Sequence, residues 1–105
     1  MSSRNRVKRR DDNQSRIAAF LQDLGALVQD TSQVGDGFPD LVAGHRGRLV
    51  LLEVKNPEGA GDRMTDDEVD FHQLWRDAMG LPVYIVRTND EAAAALGIEI
   101  VGGAT

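Results

Sequence analysis

The spacing of apolar residues along the chain predicts three helices. Apolar positions recur every three or four residues over 13–24 and again over 65–79, where Thr65 and Glu68 form a capping box. A short alanine-rich helix begins at Asn89. The glycines that end these helices are Gly25, Gly80 and Gly97. We expect the stripes of the two longer helices to be buried: Ile17, Phe20, Leu21 and Leu24 in one, and Phe71, Leu74, Trp75 and Ala78 in the other.

Shorter apolar runs predict the strands. One runs from Ala26 to Asp30, two joined by a short turn lie within 37–55, a fourth runs from Pro82 to Arg87, and a short edge strand spans Ile98 to Val101. The predicted order is helix, three strands, helix, strand, short helix and short strand. This order predicts an α/β fold in which a mixed sheet is flanked by helices.

The third strand carries charged residues where its pattern predicts burial. The run 49–52 is apolar on both faces, as in a central strand covered on two sides, and it continues directly into Glu53, Val54 and Lys55. Side chains alternate along a strand, so Glu53 and Lys55 share a face and Val54 points the other way. Charged groups are seldom buried there unless they are paired or hold a metal.

Asp40, which with Pro39 opens the preceding strand, is predicted to share that face with Glu53. If residues 44–47 form a four-residue hairpin loop, Ala43 faces Arg48 and Asp40 faces Leu51. Asp40 and Glu53 are then diagonal neighbours, roughly 7–8 Å apart at the backbone, within reach of one shared ion. A slip of one residue would place them on opposite faces.

Two carboxylates and a lysine on one face suit a hard divalent cation such as Mg²⁺, which takes oxygen ligands and keeps several waters. The lysine would position or activate one of those waters. A Glu-x-Lys tripeptide is common, however, and its ordinary role is an exposed ion pair.

The arrangement Pro39-Asp40, twelve residues, then Glu53-Val54-Lys55 resembles the PD-(D/E)XK nuclease superfamily, and most closely the small stand-alone VRR-NUC domains of phages. The resemblance covers about residues 11–97. It implies a restriction-endonuclease-like core and a metal-dependent DNA endonuclease. It also implies that Asp40, Glu53 and the Val54 carbonyl bind Mg²⁺ or Mn²⁺, while Lys55 orients the attacking water and stabilises charge on the phosphorane.

The resemblance also implies supporting residues. In this family the first helix often carries an acidic or amide side chain that reaches the metal or its waters, and the nearest candidates are Asp12 and Gln14, with Asp11 and Asn13 behind them; helix capping is the alternative. His72 is a candidate to contact the scissile phosphate or donate a proton, and its alternative is a partly buried helix histidine. Relatives often carry glutamine where this chain has Glu68, for which capping is the better account.

Three further residues have competing interpretations. Asp36, in the glycine-bearing loop 31–37, is a weaker candidate for a metal ligand than Asp40. Trp75 fits the apolar spacing of its helix, which favours core packing over base stacking. Arg87 lies at a strand end, where it would face phosphate or form a surface ion pair.

Charge is unevenly distributed along the sequence. Five of the 12 basic residues lie in the first ten positions, which leaves seven against all 17 acidic residues in the remainder. We therefore expect a flexible basic arm at 1–10 that contacts DNA phosphates, a nuclease domain at 11–101 and a tail at 102–105. A solvated tail that serves only solubility is the alternative for the arm. The candidate DNA-binding residues are Arg4, Arg6, Lys8, Arg9 and Arg10.

Composition limits the remaining choices. A chain of 105 residues without cysteine predicts one modest domain with neither disulfides nor thiolate metal sites. No apolar segment resembles a signal peptide or a membrane span, so we expect no membrane partner and a cytoplasmic protein, in the bacterial host if a phage encodes it. We expect no organic cofactor.

The resulting hypothesis is a structure-selective endonuclease. The resemblance implies branched DNA, notably four-way junctions, or nicking of duplexes as the expected substrates. Because no element reads bases, we expect the choice of substrate to rest on shape and phosphate contacts. Two equivalent strands call for two sites, so we expect a homodimer. The alternative is a DNA-binding or accessory module that keeps the nuclease fold without turnover.

Overall fold

A computed structural model describes residues 2–58 and 63–100, with side chains from Asp12 onward. The helices are α1 (Ser2–Asp23), α2 (Asp66–Met79) and α3 (Asn89–Ala95), and the strands are β1 (Leu27–Asp30), β2 (Leu41–His45), β3 (Arg48–Val54) and β4 (Tyr84–Val86). The sheet order is β1-β2-β3-β4, with β4 parallel to β3 and the other pairs antiparallel. The predicted α/β fold with a mixed sheet is therefore confirmed.

One face of the sheet forms the core with α1 and α3. Leu41 pairs with Leu52, and Val54 with Val86, so these side chains point to the same side. The predicted stripe of α1 covers them: Ile17 and Leu21 are fully buried, and Phe20 packs against the cluster. From α3, the buried residues are Ala92, Ala93 and Ala95, followed by Leu96.

The first helix is longer than expected. It begins at Ser2 rather than near Asn13, so its backbone includes the segment predicted to be a flexible arm. The side chains of Arg4, Arg6, Lys8, Arg9 and Arg10 lie outside the described residues, and their assignment to DNA contacts stays a prediction.

The hairpin between β2 and β3 is tighter than predicted. His45 pairs with Arg48, so the turn consists of Arg46 and Gly47 alone, with φ of 49° and 82°. Positive φ at both central residues is the type I′ geometry, which matches the twist of the flanking strands. The expected four-residue loop was wrong, and the pairing moves by two residues. Because side chains alternate with a period of two, this shift preserves the face of every residue.

The second helix has the predicted ends but not the predicted burial. Thr65 and Glu68 form the capping box, and Gly80 ends the helix with φ of 72°. None of its residues is buried: Phe71 and Trp75 are half-buried, Ala78 is exposed and Leu74 is 67% exposed. The buried stripe was therefore wrong. Periodicity identifies the apolar side of a helix but not how much protein covers it.

The sheet face opposite the core is only partly covered. Leu27 and Leu49 flank Gly44 from the two neighbouring strands, and Ile85 pairs with Glu53, so all three belong to this second face. Leu27 is 82% exposed, Leu49 59% and Ile85 42%. We call these three residues the open sheet surface.

The expected C-terminal edge strand is not observed. Residues 98–100 have no strand structure, and Val101 and the tail 102–105 lie outside the described residues. No helix in the described part of the chain is long and apolar enough to cross a membrane.

Candidate active site

Asp40 and Glu53 meet on the second face of the sheet. Leu41 pairs with Leu52, which brings Asp40 alongside Glu53 rather than opposite Leu51. The Asp40 amide donates to the Leu52 carbonyl at 3.0 Å, and its Oδ2 accepts from the Val54 amide at 2.8 Å. Because paired residues of an antiparallel sheet point to the same face, the two carboxyls are neighbours there. The backbone thus holds Asp40 beside Glu53.

Glu53 lies between its own strand and α2. Its side chain is 1% exposed. His72 places Nε2 3.4 Å from Glu53 Oε1, and Lys55 places Nζ 3.9 Å from Glu53 Oε2. His72 therefore contacts Glu53 within the candidate site, and its contact with the scissile phosphate stays a prediction.

The surroundings of Glu53 favour its neutral form. Burial, the negative charges of Asp40 and Glu68 and a hydrogen bond with Asp40 together raise the pKa of Glu53 to about 9, against the opposing charge of Lys55. Without a metal, Glu53 therefore keeps its proton at neutral pH. The Asp40–Glu53 pair therefore favours the binding of a proton or another cation.

Lys55 is held by carboxylates from two elements. Its Nζ lies 3.5 Å from Glu68 Oε1 as well as 3.9 Å from Glu53. The same Glu68 oxygen accepts from the Thr65 amide at 3.1 Å, so Glu68 both caps α2 and contacts the motif lysine. Sequence reasoning assigned Glu68 to capping, and its only other signal was that the nuclease family which the sequence resembles often carries glutamine there.

His72 is neutral near pH 7. Burial lowers the pKa of His72, the charges of Lys55 and Arg76 lower it further, and Glu68 opposes the shift. A neutral imidazole beside a protonated Glu53 forms a hydrogen bond without adding charge to the cluster.

Among the described side chains of α1, Asn13 reaches the end of β3. Its Nδ2 donates to the Lys55 carbonyl at 2.9 Å, whereas Gln14 binds Asp30 Oδ2 at 2.8 Å and Asp12 is exposed. Sequence reasoning ranked Asn13 behind Asp12 and Gln14. The available signal was its spacing, because Asn13 lies four residues before the fully buried Ile17, on the same side of the helix.

Gln14 instead helps to fix the end of β1. Burial tends to raise the pKa of Asp30, but hydrogen bonds from Ser32 and Gln14 outweigh it, so the pKa of Asp30 is lowered. Asp30 is therefore a charged anchor for α1 and for the loop that follows β1.

That loop lies against α2. Gly35, Asp36 and Gly37 all have positive φ, and a Cβ atom on Gly37 would overlap the carbonyl of Asp67 in the first turn of α2. Glycine at 37 therefore permits the close approach of loop and helix. Asp36 is exposed. The edge-to-face contact of Phe38 and Phe71, with ring centroids 5.1 Å apart, completes this junction.

The donor set fits a hard cation. Asp40 and Glu53 offer carboxylate oxygens, and their contact brings together two groups whose mutual repulsion a cation would relieve. Among the described residues, no group of three or more His, Cys, Asp or Glu side chains is placed to hold a metal. The predicted ligand set contains only two such side chains, with the Val54 carbonyl as its third member.

Comparison with known proteins identified no relative: no family model, curated protein or solved structure matches the chain.

Proposed function

We propose that this protein is a metal-dependent DNA endonuclease with a restriction-endonuclease-like core. The observation that carries the proposal is the meeting of Asp40, Glu53 and Lys55, with the two acids side by side on neighbouring strands and the lysine 3.9 Å from Glu53. The element order, which is a helix, three antiparallel strands, a helix and a parallel fourth strand, also supports it. It places Glu53 and Lys55 at the end of the inner strand β3 and Asp40 just before β2.

Asp40, Glu53 and the Val54 carbonyl would hold Mg²⁺ or Mn²⁺. When bound, the metal supplies Lewis acidity toward the phosphate and a stronger nucleophile at neutral pH. The protein's contribution is a fixed carboxylate pair: the Val54 amide orients Asp40, and His72 holds Glu53 from the side of α2.

Lys55 is the chain's own cation at the reaction centre. Glu53 and Glu68 hold its ammonium group from two sides, which limits its rotamers and directs its remaining hydrogens. In this position it orients the attacking water and stabilises the negative charge that develops on the phosphate. Neutral His72 hydrogen-bonds Glu53, and Lys55 is the residue that contacts the phosphate.

DNA binding must overcome an acidic domain. With all 17 acidic residues beyond position 10, phosphate contacts depend on the few basic groups near the site and on the basic segment at the N-terminus. Contacts of this kind select shape rather than sequence, so the proposed substrates are branched DNA, four-way junctions or nicked duplexes.

We include a homodimer in this proposal. The α2 helix has no buried residue, and the open sheet surface exposes Leu27, Leu49 and Ile85. Covering exposed apolar side chains with a second chain removes them from water and favours association. A second copy related by a two-fold axis would cover such a surface and supply the second site needed to cut two strands.

The decisive experiment incubates the purified protein with labelled junction, flap, nicked and linear DNAs, in Mg²⁺, in Mn²⁺ and in chelator. We expect metal-dependent cleavage of at least one branched or nicked DNA, and none by Glu53→Gln. Binding without cleavage under every condition would reject the endonuclease and favour a non-catalytic DNA-binding module.

A further inference from the structure

A cavity of about 220 Å³ lies beside the candidate active site, between α1, the end of β3 and the start of α2. Asp40 and Glu53 are not part of its wall, so it is a neighbouring compartment. Lys55 is shared between the two, since it lines the cavity and also contacts Glu53. The polar side chains that line it are Asn13, Gln14, Lys55, Asn56, Arg63, Thr65 and Glu68.

The cavity concentrates positive charge in an acidic domain. Lys55 and Arg63 both line it, against the single carboxylate of Glu68, which is already engaged with Lys55 and Thr65. Arg63 is exposed at the rim, and it takes part in none of the ion pairs formed between described residues. Its guanidinium is therefore exposed to solvent beside the cavity.

The remaining polar groups favour an anion. The amides of Asn13 and Gln14 already donate to the Lys55 carbonyl and to Asp30, so these side chains shape the wall. Thr65 Oγ1 accepts from the Glu68 amide, which leaves its hydroxyl hydrogen to donate. The Arg63 guanidinium, the Lys55 ammonium group and the Thr65 hydroxyl are donors, and a guanidinium fork with an ammonium group matches phosphate oxygens.

Size restricts the ligand. Pockets for whole organic ligands begin at about 300 Å³, so a cavity of about 220 Å³ suits one phosphate with part of its sugar. Resting on the proposed nuclease function, we propose that this cavity binds the DNA phosphate next to the scissile one, with Arg63 as its clamp. A phosphate held there would also fix the strand relative to Lys55, which borders both compartments.

The first test measures phosphate binding without any metal. Backbone and side-chain amide signals are followed by NMR in chelator, while inorganic phosphate or the dinucleotide thymidylyl-thymidine is added. We expect both probes to shift signals of Asn13, Lys55 and Thr65. Arg63→Gln should abolish the shifts and Arg63→Lys should restore part of them.

Arg46→Gln is the matched control, because it removes an exposed arginine at the hairpin turn and should bind both probes normally. Shifts that persist in Arg63→Gln, or that occur elsewhere, would overturn the assignment.

The second test asks whether the bound phosphate belongs to DNA. Affinity for a labelled duplex is measured in chelator over a range of salt concentrations. Arg63→Gln should weaken binding and reduce the slope of log affinity against log salt by about one, and Arg46→Gln should leave the slope unchanged. If only inorganic phosphate binds and the slope does not change, the cavity is a free-anion site and the proposal is wrong. Both tests omit metal, so a lack of cleavage would reject the nuclease function without affecting their outcome.

Discussion

At the scale of single residues, the site depends on a carboxyl that folding makes hard to ionise. Glu53 is nearly inaccessible and shares a hydrogen bond with Asp40, and its pKa is about 9. Groups with strongly shifted pKa values are concentrated at functional sites, since chemistry rather than stability retains them. A protein that used Glu53 only as an exposed ion pair would not need this burial.

The first prediction is that Glu53→Gln and Lys55→Ala each reduce cleavage by at least about a hundredfold, while Glu53→Gln leaves DNA affinity near that of the wild type. Glutamine preserves the shape of Glu53 and removes its ionisation, so the melting temperature of that variant should not fall. Cleavage rates, DNA affinities and thermal melts measure these effects, with Asp23→Asn at the exposed end of α1 as the control. Cleavage like that of the wild type by either site variant would reject the active-site assignment.

The second prediction concerns the pH dependence of stability in chelator. Folded Glu53 keeps its proton up to about pH 9, whereas the unfolded chain loses it near the ordinary value of 4.5. Between these values the folded state binds more protons, so the free energy of unfolding falls as pH rises, by at most about 1.4 kcal/mol per pH unit. Glu53→Gln should flatten this dependence. Urea unfolding from pH 5 to 9 measures it, and parallel curves for the two proteins would contradict the shifted pKa.

At the scale of elements, the sequence predicted the ends of helices better than their contacts. Thr65 and Gly80 were found at the ends of α2 because capping is a local interaction. The exposure of Leu74 was missed because it depends on what lies beyond the helix. The hairpin register was missed because Arg46 adopts positive φ, for which its residue type gives no signal. The contact between Asn13 and Lys55 spans 42 positions and required the packed structure.

The third prediction tests the junction between the loop and α2. Gly35 and Gly37 have similar φ, 86° and 83°, but only a Cβ on Gly37 would meet the backbone of α2. Both alanine variants should lose about 1–2 kcal/mol from left-handed backbone strain. Gly37→Ala should also displace α2, which would change the fluorescence of Trp75, the single tryptophan, and reduce cleavage. Equal behaviour of the two variants would show that α2 does not depend on this contact.

At the scale of the whole molecule, opposite charges are separated along the chain. The first ten residues carry five positive charges, and the part from residue 11 onward is acidic. This separation of charge could be predicted from the sequence, because counting charged residues along the chain requires no knowledge of the fold. What the sequence did not predict is that the backbone of this segment continues α1 from Ser2, so the segment projects along the axis of a helix that packs on the sheet.

The fourth prediction is that neutralising this segment weakens DNA binding. Replacing Arg4, Arg6, Lys8, Arg9 and Arg10 by glutamine removes the charges but keeps good helix formers. Affinity should fall, and the slope of log affinity against log salt should become shallower, without a change in melting temperature. Deletion of residues 1–10 should have the same effect on binding. An unaltered salt slope would make the segment a solubility tail and would place the DNA-binding surface elsewhere.

The last prediction is the homodimer. At micromolar concentration, light scattering should give twice the 11.4 kDa of one chain, because pairing removes exposed apolar surface from water. Two variants locate the interface: Leu74→Glu on the outer side of α2, and Leu27→Glu on the edge strand β1. Whichever position lies in the interface should give a monomer when substituted. Gln22→Glu, on an exposed position of α1, adds the same charge and should remain dimeric. A strictly 11.4 kDa species with and without DNA would refute the dimer and move the proposed substrate from junctions to single-strand nicks.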